Sequence, residues 1–428
     1  HTQLGMQPVR NHSFFMSKTP EMPEWACPHD CGWINVPAGR ERRKKMNGTK
    51  VYEDGYCVVF QDQEDFLDCI KRIGKNSFWD VRRSRSLRLA AIREGSELET
   101  ELKEAYEKDG MDPEIITDTI LNTGLLLKVK GRYYPIRACA VKSTLDRAGI
   151  SGNGLKRLEK QVYARILNEC LKTARGEALI RISEGKISAV LGGDAHDYSI
   201  LDMEQIFRHT AEYLEDNYRG CRYLAGFYEH EMASAMWELS GNDELLDAYR
   251  QEIRLAGKVP EEMKAVVRVT TSDTGAGGAN IFPMLLAGNE NRTISLGSPL
   301  RLGHRNGSSL REFDEQLQML HGKYQLAAGN LIRLLKVDIL HPITCMKRVL
   351  DRVQIPRKYA AEAVDLFLAQ NGEEPCTAHD IYYAMGEIPF LLVCDGEEGS
   401  RLARVEENLA RALSINSSEY DIGGNYRW

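Results

Sequence analysis

The chain has 428 residues, is 43% hydrophobic and 28% charged, and carries a formal net charge of −6 at pH 7. That length accommodates two or three domains of ordinary size, and the composition is that of a soluble globular protein. No run approaches the roughly 18 apolar residues a membrane-spanning helix needs, and the N-terminus carries no basic-then-apolar signal pattern, so nothing argues for export. Residues 1–24 are polar, with Pro8, Pro20 and Pro23, and read as an arm. A small basic N-terminal module follows over 25–130. Tyr56–Phe60 has strand composition, and Asp62–Ile73 has helical spacing through Phe66, Leu67, Ile70 and Ile73. Leu87–Lys108, dense in Glu/Lys pairs, reads as a second amphipathic helix. Asp112-Pro113 opens a third, with Asp as cap and Pro at the first helical position. Leu125–Val129 and Arg132–Ile136, hinged on Lys130-Gly131, read as a hairpin.

The central segment, 131–306, alternates helical and strand patterns. Two short helical patterns, Ala138–Ala148 and Leu155–Thr173, are joined by a glycine-rich turn. Their spacing is like a helix-turn-helix, but the turn exceeds the usual three or four residues, so a packing pair is expected. A strand pair, Ala178–Ile182 and Ile187–Leu191, hinges on Glu184-Gly185-Lys186. A long amphipathic helix starts near Asp202, and the strand Ala265–Thr271 runs into Ser272–Gly278. These pieces predict an α+β fold, with a central mixed or antiparallel sheet carrying packed helices. Residues 307–416 form a helical C-terminal region, with patterns over Phe313–Val337, His341–Val353, Arg357–Asn371, Ala378–Leu392 and Ser400–Leu413. The last residues, 417–428, read as a tail.

Ala148–Leu158, Ile187–Leu191, Tyr198–Asp202 and Ser272–Gly278 occur in an order that resembles the phage/plasmid-like protein family known as domain of unknown function 932. Ser199 stands where that family usually has proline. The resemblance implies an origin in a mobile genetic element. The family has no assigned reaction, so the resemblance implies none.

Charge is unevenly spread. Between Arg40 and Arg93 there are 14 Lys/Arg against eight Asp/Glu, a local +6 that leaves −12 on the rest of the chain. Arg42, Arg43, Lys44 and Lys45 form one cluster, and Arg82, Arg83 and Arg85 another, just after Trp79. Close-set cations neutralise successive phosphates and release counterions, and a neighbouring aromatic ring can stack on an unpaired base. A solvated turn and an ordinary charged helix would look the same.

Other motifs are weaker. Cys27, His29 and Cys31 resemble half a zinc knuckle, but no second half with the spacing of a four-ligand site follows, and no structural zinc is expected. The ten cysteines sit mostly in apolar patterns, as small hydrophobes in a reducing cytoplasm would. Thr270–Asn280 follows a strand and is glycine-rich but lacks the Gly-Lys-Ser/Thr of a phosphate-binding loop; Gly275, Gly277 and Gly278 are expected to be conformational. Glu229-His230-Glu231 begins a zincin motif, but Ser234 replaces the second histidine. Asp194, His196 and Asp197 place two carboxylates and an imidazole in one loop, an acid–base or metal candidate without visible partners.

The expectation is a non-catalytic protein of a phage or plasmid that binds nucleic acid, single-stranded DNA above all, without a cofactor and with a homo-oligomer as an open option. Its site would comprise Arg42, Arg43, Lys44, Lys45, Trp79, Arg82, Arg83 and Arg85. The rivals are an interaction, assembly or anti-defence protein of such an element, and a metal-dependent enzyme using the Asp194/His196/Asp197 loop.

Overall fold

The computed structural model describes residues 50–152, 154–288, 292–397 and 399–428. The arm, the Cys27–Cys31 motif and the Arg42–Lys45 cluster lie outside the described residues. In chain order the first elements are β1 (Cys57–Phe60), α1 (Gln63–Lys75), β2 (Ser77–Arg83), β3 (Arg88–Ala91), α2 (Glu97–Lys108), α3 (Glu114–Asn122), β4 (Leu125–Val129) and β5 (Arg132–Pro135). Then come α4 (Ala138–Arg147), α5 (Lys160–Thr173), β6 (Glu177–Ser183), β7 (Lys186–Gly192), α6 (Met203–Asn217), β8 (Cys221–Glu229) and β9 (Ala233–Leu239). They are followed by α7 (Glu244–Leu255), β10 (Met263–Thr271), β11 (Ala279–Ala287), β12 (Arg292–Ser295) and β13 (Leu300–Leu302). The C-terminal region holds α8 (Leu310–Gln318), α9 (Leu320–Leu334), β14 (Asp338–Ile339), α10 (Pro342–Arg352), α11 (Arg357–Asn371), β15 (Cys376–Thr377), α12 (Ala378–Met385), α13 (Glu387–Cys394) and α14 (Gly399–Ala412).

The fold is α+β, and its strands pair antiparallel. The largest sheet has seven strands in the order β1-β8-β9-β10-β11-β12, with β13 beside β11. Side chains alternate across a strand. Val267 and Val269 of β10 enter the main core with α6, α7 and α9, while Arg268 points to the opposite face and meets Glu406 of α14. Helices therefore cover both faces, which is why β9 and β11 are buried along their whole length.

Two three-stranded sheets, β2-β6-β7 and β3-β4-β5, are joined by a bridge between Ile136 and Ile187. Leu87, Leu89, Leu127, Ile180 and Val190 form a core there with Tyr163 and Leu167 of α5. Both hairpins turn where expected. Glu184 and Gly185 have φ of 51° and 75°, and Lys130 and Gly131 have 49° and 85°, the pair of left-handed residues that a tight hairpin needs. β1 and β2, on the N-terminal side of residue 130, pair with β8 and β6 of the central segment.

Some elements differ from expectation. Leu87–Lys108 is not one helix. Leu87 and Leu89 bury at period two, and β3 pairs with β4. Gly95 at φ +74° then breaks the chain before Ser96 caps α2. Asp112 does cap α3, accepting from the Glu114 N–H at 2.9 Å, but Pro113 sits at the cap position, one residue outside the helix. The C-terminal residues are anchored. The Asp421 carboxylate accepts from the Leu340 and His341 N–H groups at 2.8 and 2.7 Å, and Arg348 lies over the Tyr426 ring at 4.7 Å.

Candidate nucleic-acid interface

β2 runs directly into a single 3-10 turn, Ser84–Ser86, and then β3. Ser84 N donates to Gly176 O at 3.0 Å, which pins the turn beside the end of α5. Arg83 and Arg85 flank that contact and are exposed. Arg88 folds over the turn, donating from Nη1 to the Arg85 and Leu87 carbonyls at 2.8 and 2.7 Å. Its exposed guanidinium borders two adjoining depressions. One, of about 390 Å3, lies between β3 and α5 and includes Arg165 and Lys172 in its lining. The other, of about 260 Å3, is lined by Arg82, Arg88, Lys128 and Lys130 with the Gly131 turn.

Local acids offset only part of this charge. Asp80 takes Arg82 at 2.7 Å and Lys130 at 3.1 Å, and Glu169 takes Lys172 at 2.6 Å. Arg83, Arg85, Arg88, Lys128 and Arg165 make no salt bridge to a described residue. Three of these uncompensated cations, Arg88, Lys128 and Arg165, line the depressions, with Arg83 and Arg85 exposed nearby, and such a surface attracts polyanions.

Of the residues expected at such a site, Arg82 lines the second depression, while Arg83 and Arg85 line neither, and Arg83 leaves the face of β2 opposite Arg82. Trp79 does not join Arg82 either. Residues 79 and 82 have opposite parity on β2, so their side chains leave opposite faces of the sheet. Trp79 is half-buried, with its ring 5.8 Å from Tyr198 and the Arg181 guanidinium 5.9 Å away. Tyr198 in turn stacks on His304 at 4.9 Å and donates to Ser272 O at 3.1 Å. Burial pushes the Tyr198 phenol well above its ordinary range and the His304 imidazole down. The aromatic side chain on Arg82's face is Phe78, 45% exposed. Lys128, Lys130, Arg165 and Lys172 were not legible as partners of Arg88, because hairpin and helix register, not sequence proximity, brings them there.

The other candidates are engaged in structure. Asp194 Oδ1 accepts from Glu177 N at 3.3 Å, and the Asp194 and Asp197 carboxylates lie against Gly176 and Gly192. His196 beside them is exposed. Among the described residues no group of three or more His, Cys, Asp or Glu is placed to hold a metal ion. Glu229-His230-Glu231 lies at the β8–β9 turn. Glu229 accepts from Ser400 N at 3.3 Å, Glu231 pairs with Arg404 at 2.5 Å, and His230 contacts Glu53 O at 3.1 Å. None of the eight described cysteines is in a disulfide, and burial pushes the Cys139 thiol up to about 12.

A deeper polar cluster fixes the chain around residue 54. Lys186, fully buried, pairs with Asp54 at 3.0 Å and with Asp118. Arg137, 1% exposed, lies 3.6 Å from Asp54 and donates to Tyr52 O at 2.8 Å. Its two cations and two carboxylates balance, which suits a structural clamp.

Among the glycines of the 272–278 turn, Gly275 has φ +77° and a Cβ on Gly278 would lie 2.4 Å from Leu302 O. Gly277 has neither constraint, since its nearest neighbour would be Met232 Cε at 3.6 Å. The expectation that all three are conformational therefore holds for Gly275 and Gly278 and fails at Gly277. This turn also meets β6, through Arg181 Nη2 and Asp273 Oδ2 at 2.9 Å. Ser188, Tyr198 and Ser272–Asp273 thus converge around Arg181, whose Nη1 donates to Ser188 Oγ at 3.1 Å.

Comparison with family models, with curated proteins and with solved structures returns no match. Among the described residues no helix is long and apolar enough to cross a membrane.

Proposed function

We propose that this protein binds nucleic acid without catalysing a reaction on it, taking the phosphate backbone of single-stranded DNA on the surface around Arg88. The reading places it in DNA processing for a phage or plasmid, as protection or annealing of single strands. The observation that carries it is the gathering of Arg88, Lys128 and Arg165, without acidic partners among the described residues, around two depressions that share Arg88, with Arg85 exposed on the adjoining turn. Phosphate recognition asks for several exposed cations within one strand's reach, and the carboxylates beside them, Asp80 and Glu169, are engaged by Arg82, Lys130 and Lys172. Phe78, on the same face as Arg82 and about 13 Å along the strand, supplies an exposed ring for a base. The Arg42–Lys45 cluster adds charge to the same reading from the sequence.

The test is the salt dependence of oligonucleotide binding by fluorescence anisotropy. Each lost phosphate contact lowers the slope of log K against log salt by about 0.7 for a single strand. An Arg88→Ala/Lys128→Ala/Arg165→Ala variant should bind more weakly and lose roughly 2 from that slope. An Arg42→Ala/Arg43→Ala/Lys44→Ala/Lys45→Ala variant, measured separately, reports on the other cluster. An unchanged slope in both variants removes the proposed interface.

A further inference from the structure

Strand β2 is an edge of its sheet, which runs β2-β6-β7. Ser84 N donates to Gly176 O and Glu184 N to Asn76 O, so the even-numbered residues of β2 direct their backbone groups at β6. The odd-numbered ones face outward. The N–H and C=O groups of Ser77, Trp79 and Val81, and the Arg83 N–H, have no partner among the described residues; the Arg83 carbonyl accepts from Ser86 Oγ at 2.7 Å. Phe78 and Val81 are 45% and 47% exposed. An open seven-residue edge with exposed apolar side chains and no proline, lysine or bulge is a template for another strand.

We infer that the occupant is a second copy of the same edge, so that two chains pair β2 to β2 and their three-stranded sheets become one continuous sheet. Charge complementarity carries the assignment. In an antiparallel pair centred on Val81, Val81 faces its own copy, Trp79 faces Arg83 and Asp80 faces Arg82. Only odd residues face out, so register can move only in steps that keep odd opposite odd. One step one way sets Asp80 against Asp80, and one step the other way sets Arg82 against Arg82. The Val81 register alone sets opposite charges together twice, at non-hydrogen-bonded positions where Cα atoms approach to about 4.5 Å. It also lays Arg83 by the Trp79 ring of the other copy, and the outward groups make about six backbone hydrogen bonds. An isologous contact of this kind closes as a two-fold dimer and leaves no further edge at β2. The inference goes beyond the proposed binding function and does not depend on it.

Sedimentation velocity across the micromolar range tests it. The wild-type chain should shift from monomer to dimer with concentration. Val81→Pro removes an outward N–H that no described residue uses, a change an edge position tolerates. Val81→Lys sets two like charges together at the two-fold axis. Each should raise the dimer dissociation constant about tenfold or more, with an unaltered circular dichroism spectrum and melting curve. If Val81→Pro fails to fold, Val81→Lys, whose side chain stands half in solvent, decides. A chain that stays monomeric throughout, or a dimer indifferent to the substitutions in folded protein, overturns the inference.

Discussion

Replacing Glu406 with alanine tests how α14 holds the large sheet. Glu406 and Arg268 are each 1% exposed and pair through Oε2 and Nη1. Thr293 Oγ1 donates to the other carboxylate oxygen at 3.0 Å. Arg268 Nε and Nη2 have no acceptor among the described residues, and the Phe282 ring stands 4.9 Å from the guanidinium. Burial already pushes Arg268 down to about 10. Glu406→Ala therefore strands a buried cation, a loss of about 3–5 kcal/mol, with about 1 kcal/mol more for the orphaned Thr293 hydroxyl. Urea unfolding followed by tryptophan fluorescence is a suitable assay, because Trp237 is buried in the same sheet. The double variant Arg268→Met/Glu406→Leu removes both charges at similar volume and should recover most of the loss. A single-variant loss below about 1 kcal/mol, or a double variant as unstable as the single, would refute the argument that the pair matters through an unpaired buried charge.

Two further outcomes follow from geometry and burial. Gly278→Ala should destabilise by about 2 kcal/mol or more, because its Cβ meets the Leu302 carbonyl, whereas Gly277→Ala should stay within about 0.5 kcal/mol; equal melting temperatures for the two would contradict this. Burial lowers His230, His304 and His379 below the ordinary histidine value. Below about pH 6.5 the unfolded chain then binds protons that the folded chain does not, so stability is whole above that value and declines as pH falls, by at most about 1.4 kcal/mol per pH unit for each histidine. Unfolding free energies that stay flat between pH 7.5 and about 5.5, above the usual carboxylate range, would show that these rings are not held neutral.

Local chemistry made much of the fold legible. The Lys130-Gly131 and Glu184-Gly185 hairpins and the helical spacing of α1, α6, α10 and α11 depend on neighbours a few residues away. What escaped depends on distant ones. β8 and β9 are buried on both faces and show no alternation to mark them. β3 hid in a charge-rich stretch because Asn168 and β4, not its own pattern, satisfy its backbone: Leu89 N donates to Asn168 Oδ1 at 2.7 Å. The same limit held at the candidate site. Arg82, Arg83 and Arg85 lie within four residues of sequence and could be read off directly. Trp79 and Arg83 were grouped with Arg82 by proximity, although strand parity sends both to the other face. Lys128 and Arg165 join only once β4 and α5 are in place.

The pairing of β1 with β8 has a consequence for synthesis. Cys57 aligns with Glu229 and Phe60 with Gly226. After β1 leaves the ribosome, β8, its sheet neighbour among the described residues, follows some 170 residues later. At ordinary elongation rates that gap lasts on the order of ten to thirty seconds. Throughout it, Val58 and Phe60 have no strand to lie against, and the nascent chain depends on α1 or a chaperone to shelter them. A translational pause after β1 has emerged and before β8 has would lengthen that exposure, while the same pause once β8 is outside would not.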